Sequence, residues 1–432
     1  MSLIADNLSV NERGHLSIAG VDTVELAKKY KTPLYVMDED KIRQKCRTYS
    51  CALSKYFAKG KMLYASKASS FKRIYEIVKE EGVFVDVVSG GELYTALRAG
   101  FPAENIYFHG NNKTIDEIEY AVKVRIGCFI VDNLYELENI NAVCKKENVS
   151  QKILLRITPG IDPHTYEAVA TGKVDCKFGS AIETGQALEI VKRALECENI
   201  ELAGYHCHIG SQIFDAEPFI DCAKVMIKFV ADVKESIGYE ATTLNLGGGF
   251  GIRYVDEDAE LDIDECIKNL ASVVKAECKS FGVAEPEILM EPGRSIVGDC
   301  GITLYTIGSI KEITGYKKYV AIDGGMSDNP RYALYSSPYT AVVANKAIED
   351  KNFLCTIAGK CCESGDLIQE DTYIQTPASG DILAVLSTGA YNYSMASNYN
   401  KIPRPPIVMI KGGEDYVAVK RETYEDLARN EI

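Results

Sequence analysis

The chain has 432 residues, of which 46% are hydrophobic and 25% are charged, and its formal net charge is −14. This length predicts two or three domains, and the negative charge with its scattered basic residues argues against a nucleic-acid partner. No apolar run approaches the roughly 20 residues of a membrane span, so we expect no membrane partner.

In chain order, the sequence first predicts a short strand at HLSIAG and a helix at VDTVELAKKY. Eight short apolar runs follow, beginning near residues 61, 83, 105, 127, 152, 201, 242 and 287. Segments such as FKRIYEIVKEE lie between them, and their apolar residues recur at the helical spacing of three and four. Eight alternating strands and helices predict parallel strands closed into a (β/α)8 barrel of the TIM type, with a doubly wound open sheet as the alternative.

From about Cys300 the pattern changes to short β-like runs broken by Gly, Pro, Asn and Asp. This pattern predicts a C-terminal β-barrel or β-sandwich domain, which the N-terminal segment completes. The fold class is therefore α/β plus β. The predicted division is a barrel over residues 35–285 and a β domain made of residues 1–34 and 286–432.

The start of the sequence, MSLIADNLSV, has neither the basic segment nor the apolar core of a signal peptide, so we expect a cytoplasmic protein. The fourteen cysteines lie without CxxC pairs or histidines at zinc spacing. We therefore expect most of them to be buried thiols, and we expect neither a disulfide framework nor a metal site.

Polar residues follow most of the predicted barrel strands, where the active sites of such barrels lie. In chain order they are Lys67, Asp86, Ser89, His109, Asp132, Arg156, His206, His208, Glu291 and Arg294. The seventh strand is followed by Gly247, Gly248 and Gly249, which would let backbone N–H groups approach a phosphate. A tight turn without a ligand is the alternative interpretation of these glycines.

Lys67 directly follows an apolar strand, where a lysine is unusual unless it is paired, functional or already at the surface. An unprotonated lysine amine there could form a Schiff base with a cofactor aldehyde. Glu291 could keep a pyridine ring protonated, because an opposite charge stabilises the charged form, or it could be a salt-bridge partner of Arg294. Together the lysine, the glycines and the carboxylate predict pyridoxal 5'-phosphate (PLP) as the cofactor.

A series of longer motifs resembles, in order, those of the diaminopimelate decarboxylases, which belong to the alanine racemase-like group of PLP enzymes. The motifs are YASKA, DVVSGGEL, FHGNNKT, LLRITPG, TGKVDCKFG, HCHIGSQ, LGGGFG, EPGRS, DGGMSDNPR, CESGD and GAYNYSMASNYN. The resemblance spans about residues 35–410. It implies decarboxylation of meso-2,6-diaminopimelate at its D centre to L-lysine and CO2, the last step of lysine biosynthesis.

The resemblance also assigns roles to residues of the cofactor site. Lys67 would carry PLP, His208 would stack on its ring, and Glu291 would meet the pyridine nitrogen. Asp86 would lie beside the Schiff base. The phosphate would be held by Gly247, Gly248, Gly249, Ser211, Arg294 and Tyr391.

On the substrate side, the resemblance makes Cys362 the proton donor, and a thiol near its working pKa suits that task. The positions that match the family's substrate-binding residues are Arg294, Arg331, Tyr335, Glu363 and Tyr391. The CESGD loop that contains Cys362 would enter the active site of the partner subunit, which implies a homodimer with shared active sites.

Two positions depart from the family pattern, namely Ser69, where relatives usually have Asn, and Tyr166, where they usually have His. They bear on the substrate pocket, so alternatives stay open. These are a related PLP decarboxylase that acts on lysine, ornithine, arginine or carboxynorspermidine, a non-catalytic PLP-binding protein, and a lysine-dependent aldolase without a cofactor. Arg294 with Arg331 favours diaminopimelate, because an arginine pair suits its distal carboxylate.

Overall fold

The computed structural model describes residues 3–161 and 175–432, so Tyr166 and the first part of the TGKVDCKFG motif lie outside the described residues. The chain divides into two compact units. We call the first, which consists of Met1–Gln44, Ile252–Ala259 and Arg294–Ile432, the β unit. The second, which consists of Lys45–Gly251 and Glu260–Gly293, is the barrel unit.

The secondary structure follows the alternation that the sequence predicts. The strands are β1 (Leu8–Val10), β2 (Leu16–Ile18), β3 (Val21–Asp22), β4 (Leu34–Asp38), β5 (Gly60–Ala65), β6 (Phe84–Val87), β7 (Ile106–Phe108), β8 (Cys128–Val131), β9 (Gln151–Thr158), β10 (Ser180–Ala181), β11 (Ile200–His206), β12 (Thr243–Asn245), β13 (Glu287–Met290), β14 (Gly301–Ile313), β15 (Lys317–Ile322), β16 (Ala341–Val343), β17 (Phe353–Ala358), β18 (Leu367–Ile374), β19 (Ile382–Val385), β20 (Ile407–Lys411) and β21 (Glu414–Val419). The helices are α1 (Thr23–Tyr30), α2 (Glu39–Tyr56), α3 (Lys72–Glu80), α4 (Gly90–Arg98), α5 (Ile115–Lys123), α6 (Leu134–Glu147), α7 (Gln186–Glu196), α8 (Glu217–Ile237), α9 (Ile263–Phe281), α10 (Arg294–Val297), α11 (Arg331–Tyr335) and α12 (Tyr424–Ala428).

The barrel unit is built on a closed ring of eight parallel strands, in the order β5, β6, β7, β8, β9, β11, β12 and β13. The ring closes because β13 pairs with β5, and this pairing excludes the open sheet. The predicted TIM-type barrel is therefore confirmed. Its interior contains an apolar cluster of Leu63, Cys128, Ile130, Leu154, Ala203 and Leu289.

Several helices of the barrel unit begin at side-chain caps in the segments that follow the strands. Ser89, Thr114 and Asn133 each accept a hydrogen bond from a backbone N–H in the first turn of α4, α5 and α6. Such caps satisfy N–H groups that have no partner inside the helix. Ser89, one of the polar residues that follow the predicted strands, therefore has a structural reason to be there.

The β unit contains a mixed sheet whose main path is β18, β17, β15, β14, β4, β20 and β21, and a three-stranded sheet formed by β1, β2 and β3. Leu16 and Ile18 of β2 share an apolar core with Val408 and Ile410 of β20. The N-terminal segment thus packs with the C-terminal part of the chain, as the sequence predicts.

Two of the predicted domain boundaries need correction. β4, which begins at Leu34, pairs with β14 and β20, so residues 35–44 belong to the β unit rather than to the barrel. The strand β13 lies beyond residue 285 but closes the barrel ring, so the barrel unit extends to Gly293. Among the described residues, no helix is both long enough and apolar enough to cross a membrane.

Candidate active site

Glu291 follows the last barrel strand and is 7% exposed. Its Oε1 lies 2.7 Å from His109 Nε2 and accepts a hydrogen bond of 2.7 Å from Asn245 Nδ2. Its Oε2 lies 3.1 Å from His206 Nε2. Burial acts to raise the pKa of Glu291, but its interactions with His109 and His206 outweigh burial and hold that pKa well below the ordinary value. This carboxylate is therefore ionised at neutral pH.

Lys67 lies in a single 3-10 turn, Ser66–Ala68, directly after β5, and its side chain is exposed. The turn is held in place by Glu92, whose Oε2 accepts hydrogen bonds from Ser66 Oγ at 3.0 Å and from the Val88 N–H at 2.8 Å. The amine of Lys67 is thus carried on a fixed turn yet stays accessible to a reactant.

Asp86 lies on β6, paired in register with Ala65 at the end of β5. Burial raises the pKa of Asp86 well above its ordinary value, the charge of Glu291 raises it further, and the charge of Lys67 opposes the shift. Its Oδ1 is buried and has no hydrogen-bond partner in the described part of the chain. A buried polar atom of this kind calls for a partner that a ligand can supply.

The turn after β12 brings the predicted glycines against the backbone of the neighbouring segments. A Cβ atom on Gly248 would lie 2.0 Å from the carbonyl oxygen of Glu291, and one on Gly249 would lie 2.5 Å from that of Gly210. Gly247 and Gly249 have φ angles of +69° and +123°, which side chains rarely allow. Glycine is therefore required here for close approach and for backbone conformation.

His208 and Ser211 belong to the segment between β11 and α8, and both are partly buried. His208 Nδ1 accepts a hydrogen bond of 3.3 Å from the Gly248 N–H, which ties the histidine to the glycine turn. Burial and then the charge of Lys67 lower the pKa of His208 well below its ordinary value. A neutral imidazole on a fixed backbone is suited to packing against an aromatic ring.

In the β unit, two buried arginines share the same aromatic neighbours. Arg294 and Arg331 are 5% and 6% exposed. The guanidinium carbon of Arg294 lies 4.7 Å from the ring centroid of Tyr391, and that of Arg331 lies 5.7 Å from it. Tyr254 also contacts both, and its hydroxyl oxygen accepts a hydrogen bond of 2.7 Å from Arg294. Tyr335 is another of the predicted substrate residues, and its ring centroid lies 5.8 Å from the guanidinium carbon of Arg331.

Cys361 and Cys362, at the start of the CESGD loop, differ in burial. Cys361 is buried, and burial raises the pKa of its thiol, whereas Cys362 and Glu363 are exposed. Asp366 at the end of the loop accepts hydrogen bonds from the N–H groups of Met326 at 2.5 Å and Cys361 at 2.6 Å. This carboxylate therefore fixes the loop that presents Cys362 and Glu363.

Four residues of these clusters were not singled out by the sequence. Asn245 orients Glu291, and Glu92 holds the Lys67 turn. Tyr254 supports Arg294, and Asp366 supports the CESGD loop. A polar residue inside a buried strand, as in TLNLGGG, is a usable signal for Asn245. Glu92 and Asp366 lie within the motifs DVVSGGEL and CESGD, but their roles, like that of Tyr254, depend on contacts with other parts of the sequence.

Comparison with known proteins places the chain in a family. Residues 39–298 match the pyridoxal binding domain of pyridoxal-dependent decarboxylases. The diaminopimelate decarboxylase of Bacillus subtilis (strain 168) is 48% identical over 422 residues, which cover 98% of this chain and 96% of that protein. The crystal structure of diaminopimelate decarboxylase from M. jannaschii in co-complex with L-lysine superimposes with a TM-score of 0.91 at 36% identity, covering 100% of this chain and 99% of that one. The chain belongs to the diaminopimelate decarboxylase family.

Related structures agree with this placement. Diaminopimelate decarboxylase from Helicobacter pylori complexed with L-lysine superimposes with a TM-score of 0.85 at 32% identity, over 94% of this chain and 98% of that one. The protein is therefore a PLP-dependent decarboxylase.

The residues of the barrel mouth fit PLP. The ionised Glu291 suits a protonated pyridine nitrogen, the orphan Oδ1 of Asp86 needs a partner, and Lys67 offers an exposed amine on a fixed turn. A Cβ on Gly247 or Gly248 would clash with the backbone of Cys207 or Glu291, so the turn after β12 requires glycine at these positions. In the part of the chain that the structure describes, these groups supply an anchor, a ring contact and a carboxylate of the required kinds.

Asp366→Asn tests whether this carboxylate fixes the CESGD loop. An amide keeps one acceptor and turns an N–H donor toward one of the two backbone N–H groups, so a hydrogen bond to a charged group is lost, which typically costs about 1.5–3 kcal/mol. We expect a lower melting temperature and a several-fold lower rate of CO2 release, with PLP absorbance unchanged. Asp371→Asn is the control, because Asp371 is 76% exposed and its cation partner is 3.9 Å away. Equal behaviour of the two variants would contradict the assignment.

Proposed function

We propose that this enzyme removes the carboxylate at the D centre of meso-2,6-diaminopimelate and produces L-lysine and CO2. The observation that supports this substrate most directly is the state of Arg331. It is buried, its Nε has no hydrogen-bond partner, and no carboxylate pairs with it among residues 3–161 and 175–432. A buried cation without an acidic partner is costly, and a ligand carboxylate would offset that cost.

Diaminopimelate has a distal carboxylate and a distal ammonium group at the centre that does not react. We assign the carboxylate to Arg331, with Arg294 beside it around the shared ring of Tyr391, because a guanidinium group binds a carboxylate in bidentate geometry. Tyr335 lines the Arg331 side of this cluster. Glu363, exposed on the CESGD loop, is the proposed partner of the ammonium group. Ornithine and lysine lack the distal carboxylate and would leave the buried arginine unpaired.

The chemistry that PLP supplies when bound is an electron sink for the electron pair left by the departing CO2. Lys67 is the proposed covalent anchor of the cofactor, and His208 would pack against the ring. Glu291, which is held ionised, would place a negative charge beside the ring nitrogen and so favour its protonated form. Asp86 would lie beside the anchor lysine. The glycines after β12 would hold the phosphate group together with Ser211, Arg294 and Tyr391.

Cys362 is the proposed proton donor. After the carbon–carboxylate bond has broken, the thiol proton passes to the α-carbon of the substrate, and the thiolate regains a proton from solvent. Its exposed position on the CESGD loop separates it from Cys361 beside it, which is buried and whose pKa is raised by burial.

We also propose that the enzyme acts as a homodimer in which each CESGD loop completes the active site of the partner subunit. The loop has four consecutive exposed residues, 362–365, although it carries a proposed proton donor and a proposed substrate ligand. Chemistry of this kind requires exclusion of water, which a second protomer can supply. A cytoplasmic location remains a prediction from the sequence.

A panel of substrates tests the proposed activity. The enzyme loaded with PLP should release CO2 from meso-diaminopimelate and form L-lysine, with far lower rates on lysine, ornithine, arginine and carboxynorspermidine. CO2 release is measured at equal substrate concentrations, and the product is identified by chromatography. If CO2 is released from one of the other four compounds but not from meso-diaminopimelate, the enzyme is a related PLP decarboxylase and the proposed substrate is wrong.

Replacement of Cys362 by Ala tests the proton donor. We expect turnover to fall by about two orders of magnitude, since a positioned acid typically contributes 10²–10⁴-fold, while the absorbance of bound PLP stays unchanged. Cys51→Ala is the control, because Cys51 is also an exposed thiol but lies on α2. If Cys362→Ala turns over as fast as Cys51→Ala, Cys362 is not the donor.

A further inference from the structure

Two histidines that have no role in the proposed reaction converge on Glu291. His109 follows β7 and His206 ends β11, so they come from separate parts of the barrel ring. Their rings meet edge to face, with centroids 4.8 Å apart and an interplanar angle of 76°. Both direct Nε2 to the carboxylate, at 2.7 Å from Oε1 for His109 and 3.1 Å from Oε2 for His206. Each oxygen of Glu291 therefore has its own histidine.

Both histidines act as neutral donors. His206 Nδ1 is buried and has no hydrogen-bond partner among the described residues, so its proton belongs on Nε2, where Glu291 accepts it. Burial lowers the pKa of His206 to about 4, and burial lowers the pKa of His109 as well. Arg156 and Lys67 are further cations that act on His109 and disfavour its protonation. The negative charge of the cluster thus resides on Glu291.

The three side chains also have the composition of a metal site, and their potential ligand atoms lie within 4.8 Å of one another. The separations of 2.7 and 3.1 Å between nitrogen and oxygen are, however, hydrogen-bond lengths. Asn245 adds a third donor at 2.7 Å from Oε1. The contacts of Glu291 with the two histidines are therefore those of a hydrogen-bond network.

The number of donors shows where Glu291 can still accept a hydrogen bond. A carboxylate has about four acceptor sites, two on each oxygen. His109 and Asn245 occupy those of Oε1, while His206 occupies one of those of Oε2. One acceptor site therefore remains, and it is on Oε2.

Asp86 shows what burial does to a carboxylate in the same barrel mouth without such donors. Its Oδ1 has no hydrogen-bond partner in the described chain, and burial raises its pKa well above the ordinary value. Glu291 is also buried but is held ionised. The two acids differ in the histidines that contact Glu291, and also in the charge of Glu291 itself, which raises the pKa of Asp86 further.

We propose that His109 and His206 are positioning residues that keep Glu291 ionised and leave one acceptor site of Oε2 for the ring nitrogen of PLP. The inference rests on the proposed role of Glu291 and deepens it. Removal of either histidine should let Glu291 take up a proton or turn away. The ring nitrogen would then lose its own proton, and the electron sink would weaken.

The test is nitrogen-15 NMR of the resting enzyme loaded with PLP labelled at the ring nitrogen. The wild type and the variants His109→Gln and His206→Gln should show a protonated ring nitrogen, because a Gln amide can donate from the position of Nε2. His109→Phe and His206→Phe should show a deprotonated one. In the Phe variants kcat should fall about tenfold or more with KM nearly unchanged, since a hydrogen bond to a charged group is lost.

His15→Phe is the matched control, because His15 also pairs with a carboxylate, at 2.9 Å from Asp22 Oδ2, but belongs to the β unit. It should leave the nitrogen signal unchanged. If the Phe variants do not fold, His109→Asn and His206→Asn take their place with the same expected outcome, because the shorter amide does not reach Glu291.

A ring nitrogen that stays protonated in the Phe or Asn variants would overturn the proposal. So would Gln variants that behave like the Phe variants. The NMR signal is recorded without substrate, so it does not depend on which amino acid the enzyme decarboxylates. Failure of the wild type to act on diaminopimelate, with the expected pattern of nitrogen signals, would overturn the proposed substrate and leave the role of the histidines standing.

Discussion

The mouth of the barrel is organised around one buried negative charge, the carboxylate of Glu291. Pairing of β13 with β12 and β5 closes the barrel and brings Glu291 to the mouth beside donors from three other strand ends. His109, His206 and Asn245 supply these donors, and Asn245 also accepts the Gly247 N–H at 2.9 Å. The glycine turn and the carboxylate are thus parts of a single network.

The barrel mouth keeps two buried acids in different states. Glu291 accepts hydrogen bonds from three side chains and is held ionised. The Oδ1 of Asp86 has no hydrogen-bond partner in the described chain, and the pKa of Asp86 is raised well above the ordinary value. Pairs of acids whose pKa values are shifted in opposite directions are typical of functional sites in which one acid is ionised and the other protonated. Lys67, whose charge opposes the shift of Asp86, lies on a turn that Glu92 holds. The barrel mouth therefore keeps one buried acid charged and raises the pKa of the other.

Much of this arrangement was predictable from the sequence, because the barrel repeats one local pattern eight times and its polar residues follow the strands. Lys67, Glu291 and Arg294 were singled out in that way, and the family resemblance supplied Cys362 and Arg331. The partners were not predictable. Tyr254 meets Arg294, and Asp366 meets Met326, across 40 residues of sequence in each case, so only the folded chain shows these contacts. Ser89 was also among the polar residues at the strand ends, but in the structure it caps α4.

Borohydride reduction followed by peptide mass spectrometry tests whether Lys67 holds the cofactor of this decarboxylase. Reduction makes the bond between PLP and the lysine permanent, so the modified peptide identifies the anchor. We expect a pyridoxyl group on the peptide that contains Lys67 and none on Lys113, a buried lysine whose amine lies 2.6 Å from Glu136 Oε1. A pyridoxyl group on any other lysine, or on none, would contradict this expectation.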